Sequence, residues 1–274
     1  MSEKAHEKAG ARHRIESTFA DSTLTSSKAE LDYRPVALMP DVKVLKVGGQ
    51  SVMDRGRKAL FPILDELAAA KDKHKLLVCC GGGTRARHIY SVASDLELPT
   101  GVLAALGGYV PRQNARMLQM LLAKHGGIFM LHDDFEKLPL YFRLGCIPIM
   151  TGMPPFAYWE KPAENGRNPQ HRTDAGVFLS AEVLGSRRAI FVKDEDGLFT
   201  DDPKKNPKAE KIPRISAKEL LKMDLPDLVV ERVVIEYLAR ARFCTELQII
   251  NGLERGMLTR ALEGEDVGTL ITRD

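Results

Sequence analysis

Short apolar runs alternate with amphipathic stretches from residue 42 to the end of the chain. The first run, residues 42–47, is apolar and β-branched and ends at a glycine pair, which is typical of a buried strand that enters a tight turn. A second run of the same kind covers residues 76–80 and also ends in glycines. Further strands are predicted over residues 128–131, 146–150, 189–192, 247–250 and 268–272.

Helical periodicity separates these strands. Between the first two, apolar residues recur three and four positions apart from Ala59 to Leu67, which predicts a helix with one buried face. Further helices are predicted from the second glycine turn to residue 93, and over residues 115–124, 173–184 and 233–241. Strands that alternate with helices predict an α/β fold, here a three-layer α/β/α arrangement around a mainly parallel central sheet.

The first part of the chain has a different composition. Residues 1–40 are rich in Ser, Thr, Ala, Lys and Glu and contain few large apolar side chains, so they cannot form a core of their own. We predict a polar N-terminal arm over residues 1–40, followed by a single domain over residues 41–274. Both a disordered arm and an arm that wraps a neighbouring subunit fit this composition.

Charge, apolar runs and cysteine content argue against several classes of protein. The 274 residues include 40 Lys and Arg and 37 Asp and Glu, a formal net charge of +3, which is too small to predict binding of nucleic acid. No uncharged apolar run reaches the roughly 18 residues that a membrane span needs, and the first residues do not resemble a signal peptide. The four cysteines form no Cys-x-x-Cys pair, so neither a zinc site nor a disulfide framework is predicted. We expect a cytoplasmic protein.

Two glycine-rich turns follow the first two predicted strands. They are Gly48-Gly49 and Gly81-Gly82-Gly83. At the carboxyl ends of parallel strands, such turns let backbone amides approach phosphate oxygens. Neither turn matches the GxGxxG dinucleotide signature or the GK[ST] ending of the P-loop. Each turn alone is compatible with simple packing, but together at one sheet edge they predict a phosphate-binding site.

Charged residues lie at the same predicted edge. Lys46 ends an otherwise apolar strand, where its ammonium group would reach the oxygens that the glycine amides bind. An acidic stretch at 194–196 follows the strand that ends at Lys193, and two aspartates follow at 201–202. Because Mg²⁺ prefers oxygen ligands, these carboxylates predict a magnesium environment. A solvated acidic turn is the alternative.

A proline-rich segment over residues 151–172 interrupts the alternation of strands and helices. It contains Trp159 and His171 and is longer than a loop that only connects two elements. We expect this segment to carry a function or a subunit contact. The alternative is a surface loop that its prolines stiffen.

Four motifs in chain order resemble the amino acid kinase family, which includes uridylate kinase, carbamate kinase, acetylglutamate kinase and aspartokinase. The resemblance extends from residue 42 to residue 271. It implies the amino acid kinase fold and a site for ATP with Mg²⁺. The motifs are Lys-Val-Gly-Gly at 46–49, the glycines at 81–83, Arg-Thr-Asp-Ala at 172–175 and Asp-Gly-Leu-Phe-Thr-Asp-Asp-Pro at 196–203.

The family resemblance also implies roles for individual residues. Three of them would be catalytic, namely Lys46, Asp174 and Lys193. A second set would hold the triphosphate and the magnesium ion: Gly48, Gly49, Gly81, Gly82, Gly83 and Asp194. A third set would shape the nucleoside pocket: Gly197, Phe199 and Asp202.

Further stretches resemble the branch of the family that stores molybdenum or tungsten, in particular its ATP-binding β-type subunits. This resemblance implies a hexameric cage, built from one or two kinds of subunit, that hydrolyses ATP and accumulates molybdate or tungstate as oxide clusters. The stretches lie at 46–51, 54–56, 83–88, 152–155, 192–198 and 264–269.

One departure from that branch concerns the ligands of the oxide clusters. Companion subunits in the branch carry a histidine-rich proline loop, whereas residues 156–161 here read Phe-Ala-Tyr-Trp-Glu-Lys. Cluster contacts would then come from elsewhere in this chain or from another subunit. The candidates in this chain are His132, Asp133, Asp134, Glu136 and His171, with a surface or structural role as the alternative for each histidine.

Two other functions are compatible with the sequence. In a uridylate kinase-like nucleotide kinase, residues 172–174 would face a nucleoside monophosphate that accepts the phosphoryl group. The stretch Gly-Val-Leu-Ala-Ala at 101–105 differs from the Gly-Met-Leu-Ala-Thr of uridylate kinases, which predicts an altered acceptor pocket. In the other alternative, the chain binds ATP only as a structural ligand or a sensor.

Overall fold

The computed structural model describes residues 36–160, 168–225 and 228–274. The strands are β1 (Val42–Val47), β2 (Lys75–Cys80), β3 (Gly127–Phe129), β4 (Ile147–Thr151), β5 (Arg188–Lys193), β6 (Leu198–Phe199), β7 (Lys211–Ile212), β8 (Arg214–Ser216), β9 (Glu246–Asn251) and β10 (Thr269–Thr272). The helices are α1 (Arg57–Ala70), α2 (Gly83–Asp95), α3 (Thr100–Leu122), α4 (Leu138–Arg143), α5 (Thr173–Leu184), α6 (Ala217–Met223), α7 (Arg232–Leu238) and α8 (Met257–Leu262).

Eight of the strands form one sheet in the order β3-β4-β2-β1-β5-β9-β10-β8, and β6 and β7 form a separate antiparallel pair. Neighbouring strands of the large sheet are parallel except β9 and β10. Helices cover both faces of the sheet, so the predicted α/β/α fold is confirmed. Because β1 and β2 are parallel neighbours, the glycine turns that follow them lie at the same edge.

Successive side chains of each strand point to opposite faces of the sheet, so the core consists of two layers. In β1, Val44 packs into the layer that contains α5, α6 and α7, whereas Leu45 packs into the layer that contains α1 and α8. Phe191 of β5 also packs into the α5 layer. By the same period of two, Lys46 of β1 and Lys193 of β5 lie on the α5 side of the sheet. Two lysines on neighbouring strands therefore face the same helix.

Helix α3 is longer than the sequence pattern predicts, since it begins at Thr100 whereas the predicted helix began at Ala115. The segment before Ala115 was not predicted to be helical, because it contains Gly107 and Pro111, and glycine and proline both have low helix propensity. In the structure the ring of Tyr90 packs so closely on Gly107 that a side chain there would collide with it. Packing between α2 and α3 thus compensates for the poor local propensity.

Short elements were also not predicted. Helices α4, α6 and α8 have six or seven residues each, and strands β6, β7 and β8 have two or three. A hydrophobic period does not show in so few residues. Every strand and helix that the sequence did predict is present, with ends that differ by a few residues except at the start of α3.

The predicted N-terminal arm lies for the most part outside the described residues. The compact unit that contains the sheet begins at Ala37. Near its start, the N–H of Met39 donates to the carbonyl of Leu184 at 2.7 Å. The boundary at residue 40 stays a prediction, as does the cytoplasmic location. Within the described ranges we find no helix that is long and apolar enough to cross a membrane. The four cysteines are free.

Candidate functional site

The glycine turns after β1 and β2 form one cradle. The N–H of Gly81 donates to the carbonyl of Val47 at 3.0 Å, which joins the second turn to the end of the first strand. A Cβ atom on Gly49 would collide with the backbone of Gly83, and a Cβ atom on Gly81 would lie 2.6 Å from the backbone nitrogen of Gly49. Only glycine fits at positions 49 and 81, because the two turns touch each other backbone to backbone.

A cavity of about 440 Å³ lies against this cradle. Its volume is in the range of small-molecule binding sites. The structure brings together at this cavity most of the site residues that the sequence predicted. Its walls include Lys46, Gly48, Gly49, Gly81, Gly82, Gly83, Asp174, Lys193, Asp194, Phe199 and Asp202.

Gly197 lies outside the lining of the cavity. Its φ angle of +141° is a backbone conformation that residues with a side chain rarely adopt. The turn at Gly197 directs the N–H of Leu198 to Thr269 Oγ1 at 2.8 Å. Gly197 therefore fixes the short strand that carries Phe199, and its predicted part in the nucleoside pocket stays a prediction.

Lys46, Asp174 and Lys193 form a buried ionic group in the cavity wall. Lys46 Nζ donates to Thr173 Oγ1 at 2.7 Å and also to the carboxylate of Asp174. Lys193 Nζ donates to the two carboxylate oxygens of Asp174 at 3.2 and 3.4 Å. At most 13% of any of these three side chains is exposed. The alternation along β1 and β5 is what places both lysines against the start of α5.

Two ammonium groups beside one carboxylate leave an excess of positive charge. Burial opposes the ionisation of Asp174, but the charges of Lys193 and Lys46 outweigh it and hold the pKa of Asp174 well below its usual range. Burial lowers the pKa of Lys193, and the carboxylate of Asp174 counteracts that effect. With all three groups ionised, this group carries one net positive unit, which favours an anion beside the two lysines.

Glu231 was not predicted as a site residue, yet it organises the start of α5. Its side chain is 7% exposed, and its carboxylate accepts the N–H groups of Arg172, Asp174 and Ala175 at 3.0, 3.0 and 3.1 Å. In return, the N–H of Glu231 donates to Asp174 Oδ2 at 3.2 Å. Burial raises the pKa of Glu231, and the charge of Asp174 adds to that effect. No local pattern marks Glu231, because these partners lie 56 to 59 residues away in the chain.

Acidic residues at the cavity are paired with cations of the chain itself. Arg55 donates to Asp194 at 2.5 Å, and Lys204 forms ion pairs with Asp194, at 3.8 Å, and with Glu195. The aspartates at 201–202 also line the cavity. Within the described part of the chain, no group of three or more His, Cys, Asp or Glu side chains is arranged to hold a metal ion. The magnesium environment stays a prediction, for which carboxylate oxygens are the appropriate ligand type.

The residues predicted to contact oxide clusters are not assembled into a metal site among the residues that the structure describes. In His171, Nδ1 lies 2.6 Å from Glu160 Oε1 and Nε2 lies 2.5 Å from the hydroxyl oxygen of Tyr237. His132 lies in a 3-10 turn, and burial lowers its pKa. Glu136 belongs to the same turn and is exposed. Contact of these residues with oxide clusters stays a prediction.

The parallel sheet, the touching glycine turns and the lysine–aspartate group define an α/β protein with a glycine-rich cradle beside a buried ionic group. The chain belongs to the amino acid kinase family, which its sequence matches over residues 41–235. It is 49% identical over 247 residues to the molybdenum storage protein subunit beta of Azotobacter vinelandii, and the match covers 90% of each chain.

Uridylate kinases are further relatives. The chain is 28% identical over 237 residues to the uridylate kinase of Thermococcus kodakarensis, which covers 80% of this chain and 98% of that one. The crystal structure of the uridylate kinase of Archaeoglobus fulgidus matches with a TM-score of 0.64 at 24% identity, over 84% of this chain and 100% of that one. At that identity the structural match shows the shared fold alone.

Proposed function

We propose that this chain is the ATP-binding and ATP-hydrolysing subunit of a cage that stores molybdenum or tungsten as oxide clusters. The observation that carries the nucleotide part is the glycine cradle beside the Lys46–Asp174–Lys193 group. The storage part rests on the 49% identity, over 90% of the chain, to a molybdenum storage protein subunit. Molybdate or tungstate is then the cargo, and ATP is the reactant.

The residues around the cavity suit a triphosphate with magnesium. Backbone amides of the glycine turns have no side chains to shield them, and they would bind phosphate oxygens together with Lys46 and Lys193. Asp194 and Asp202 would supply carboxylate oxygens to Mg²⁺, and Phe199 would contact the nucleoside. The bound ion would neutralise phosphate charge. The protein's own contribution would be to orient the terminal phosphate and to stabilise the charge that develops on it.

Replacing Lys46 by alanine tests the nucleotide part of this proposal. The variant keeps the ion pair between Lys193 and Asp174, so we expect it to fold. Loss of a hydrogen bond to a charged group is worth about 1.5–3 kcal/mol, which corresponds to roughly a 10- to 100-fold loss in ATP affinity or turnover. Calorimetric titration with ATP and an assay of phosphate release measure the two effects. Lys43→Ala, on the same strand but the opposite face, is the control. Normal ATP binding and hydrolysis by Lys46→Ala would refute the role of Lys46.

A uridylate kinase-like activity is the second candidate, favoured by the match to nearly the whole length of an archaeal uridylate kinase. Arg87 and Arg172 also line the cavity and would bind an acceptor phosphate. Phosphate release from ATP, with and without molybdate or tungstate, is to be measured beside phosphoryl transfer to UMP. Stimulation by the oxyanion supports storage, transfer to UMP supports the kinase, and ATP binding without either supports a structural ligand.

The assembly is a separate part of the proposal. We expect six subunits in a closed cage, because closed symmetry is usual for oligomers and storage requires an enclosed space. Removing residues 1–35 is expected to weaken this assembly and to leave ATP binding intact, since the cavity is formed by residues 46–231. Sedimentation at micromolar concentration measures the first effect and ATP titration the second. A full-length chain that sediments as a monomer, alone and with any co-purified companion subunit, would contradict the cage.

A further inference from the structure

A buried asparagine lies behind the second glycine turn. Asn114 belongs to α3 and is 0% exposed. Its Nδ2 donates to the carbonyl of Gly81 at 2.6 Å and to that of Gly82 at 3.4 Å. Its Oδ1 accepts from the guanidinium group of Arg85 on α2. The side-chain amide therefore has partners for both its donor and its acceptor, as a buried polar group requires.

The geometry of the peptide bond, together with these contacts, determines the direction in which the N–H groups of the second glycine turn point. In a trans peptide, the carbonyl of one residue and the N–H of the next point in opposite directions. Because the carbonyls of Gly81 and Gly82 point to Asn114, the N–H groups of Gly82 and Gly83 point away from it. Gly82 and Gly83 line the cavity, and Gly83 begins α2, whose first N–H groups have no acceptor within the helix. The N–H of Thr84 donates to the carboxylate of Asp54 at 2.6 Å, so the amides available to a ligand are those of Gly82 and Gly83.

We propose that Asn114 is a positioning residue that directs the amides of the second glycine turn towards the phosphate groups of a nucleoside triphosphate. The inference rests on the proposed function for the identity of the ligand. Asn114 lies outside the cavity lining and acts through the backbone of Gly81 and Gly82. The neighbouring residue, Gln113, is exposed and accepts from Arg85 at 3.3 Å, which makes it a matched control.

Two substitutions of Asn114 separate positioning from simple stability. Asn114→Asp keeps the size of the side chain but replaces the donor by an oxygen that repels both carbonyls. Asn114→Leu removes the hydrogen bonds altogether. We expect each to weaken ATP binding by roughly tenfold or more, and to raise KM by a larger factor than it lowers kcat, because the Lys46–Asp174–Lys193 group is unchanged. Gln113→Ala is expected to bind ATP normally.

Hydrogen exchange in the ligand-free protein tests the positioning step independently of ATP. The amides of residues 81–84 are expected to exchange faster in both Asn114 variants and at the wild-type rate in Gln113→Ala. Arg85 is exposed and donates to Asn114, and in Arg85→Met the amides of residues 81–84 are expected to exchange faster than in the wild type, by a smaller factor than in the Asn114 variants. If the Asn114 variants do not fold, Arg85→Met tests the positioning role alone.

The outcomes distinguish this inference from the proposed function. Wild-type exchange at residues 81–84 in folded Asn114 variants, or in Arg85→Met, would overturn the positioning role. A loss confined to kcat, with ATP affinity unchanged, would overturn it as well. If the wild-type protein binds no ATP, the proposed function fails and so does the ligand named here. Faster exchange in the variants would then still show that Asn114 holds the turn.

Discussion

Asparagine in place of Asp174 is expected to destabilise the protein by about 3–5 kcal/mol, the usual cost of breaking a buried ion pair by removing one partner. The amide has the shape of the carboxylate but no charge, so Lys46 and Lys193 are left buried side by side. We expect turnover of ATP to fall more than ATP affinity, because the bound phosphates restore part of the missing negative charge. Because a ligand that binds more weakly stabilises the folded state less, added ATP is expected to raise the melting temperature less in the variant than in the wild type.

The destabilisation is expected to depend on pH. Since the folded-state pKa of Asp174 lies below its usual value, the ionised carboxylate stabilises the fold above the unfolded-state pKa of about 3.9. This stabilisation is lost as the pH falls towards the folded-state pKa. The gap between wild type and variant, which is the difference in their free energies of unfolding, therefore becomes smaller in acid. Urea unfolding over a pH series measures the gap, with Asp65→Asn on the exposed face of α1 as the control. A gap that is as wide near pH 2 as near pH 7 would contradict this account.

Glutamine in place of Glu231 is expected to have the second largest effect. The carboxylate accepts three backbone N–H groups at the start of α5, whereas a glutamine offers one oxygen and turns an NH₂ group towards donors. Each buried donor left without a partner costs about 1–3 kcal/mol, so the loss of stability exceeds that of most single substitutions. The displaced start of α5 carries Asp174, and ATP binding is therefore expected to weaken as well.

The same helix supplies a matched control for Glu231. At the other end of α5, Glu182 accepts the N–H groups of Arg242, Phe243 and Cys244 at 2.8, 3.0 and 2.7 Å. Glu182 lies outside the cavity lining. Glu182→Gln is expected to lose stability while ATP affinity of the folded fraction stays normal. If the folded fractions of the two variants bind ATP equally well, Glu231 is a structural residue only.

The side of the sheet that carries the buried ionic group follows from the sequence. A period of two along each strand places Lys46 and Lys193 on one face, and the motif that opens α5 adds Asp174 from above that face. Local patterns carry this information, because strand alternation and helix starts are properties of a few consecutive residues. The glycine turns were predictable for the same reason.

Glu231 and Asn114 were not predictable in this way. Both act through hydrogen bonds to backbone atoms more than 30 residues distant. A glutamate before a helix and an asparagine within one have no feature in a single sequence that distinguishes them from many others. The first half of α3 was missed for a related reason, since the Tyr90 ring that packs on Gly107 comes from another helix. Long-range packing and long-range hydrogen bonds, and not local propensity, decided these features.

The contact between the two glycine turns has a consequence for how the site tolerates sequence change. Gly49 and Gly83 meet backbone to backbone, so neither turn has room to shift unless the other shifts with it. Substitutions in one turn are then felt in the other, and their free energies do not add, as is general for residues in contact. In evolutionary terms the two turns are expected to form one epistatic unit, in which a change in one turn is tolerated only together with a change in the other.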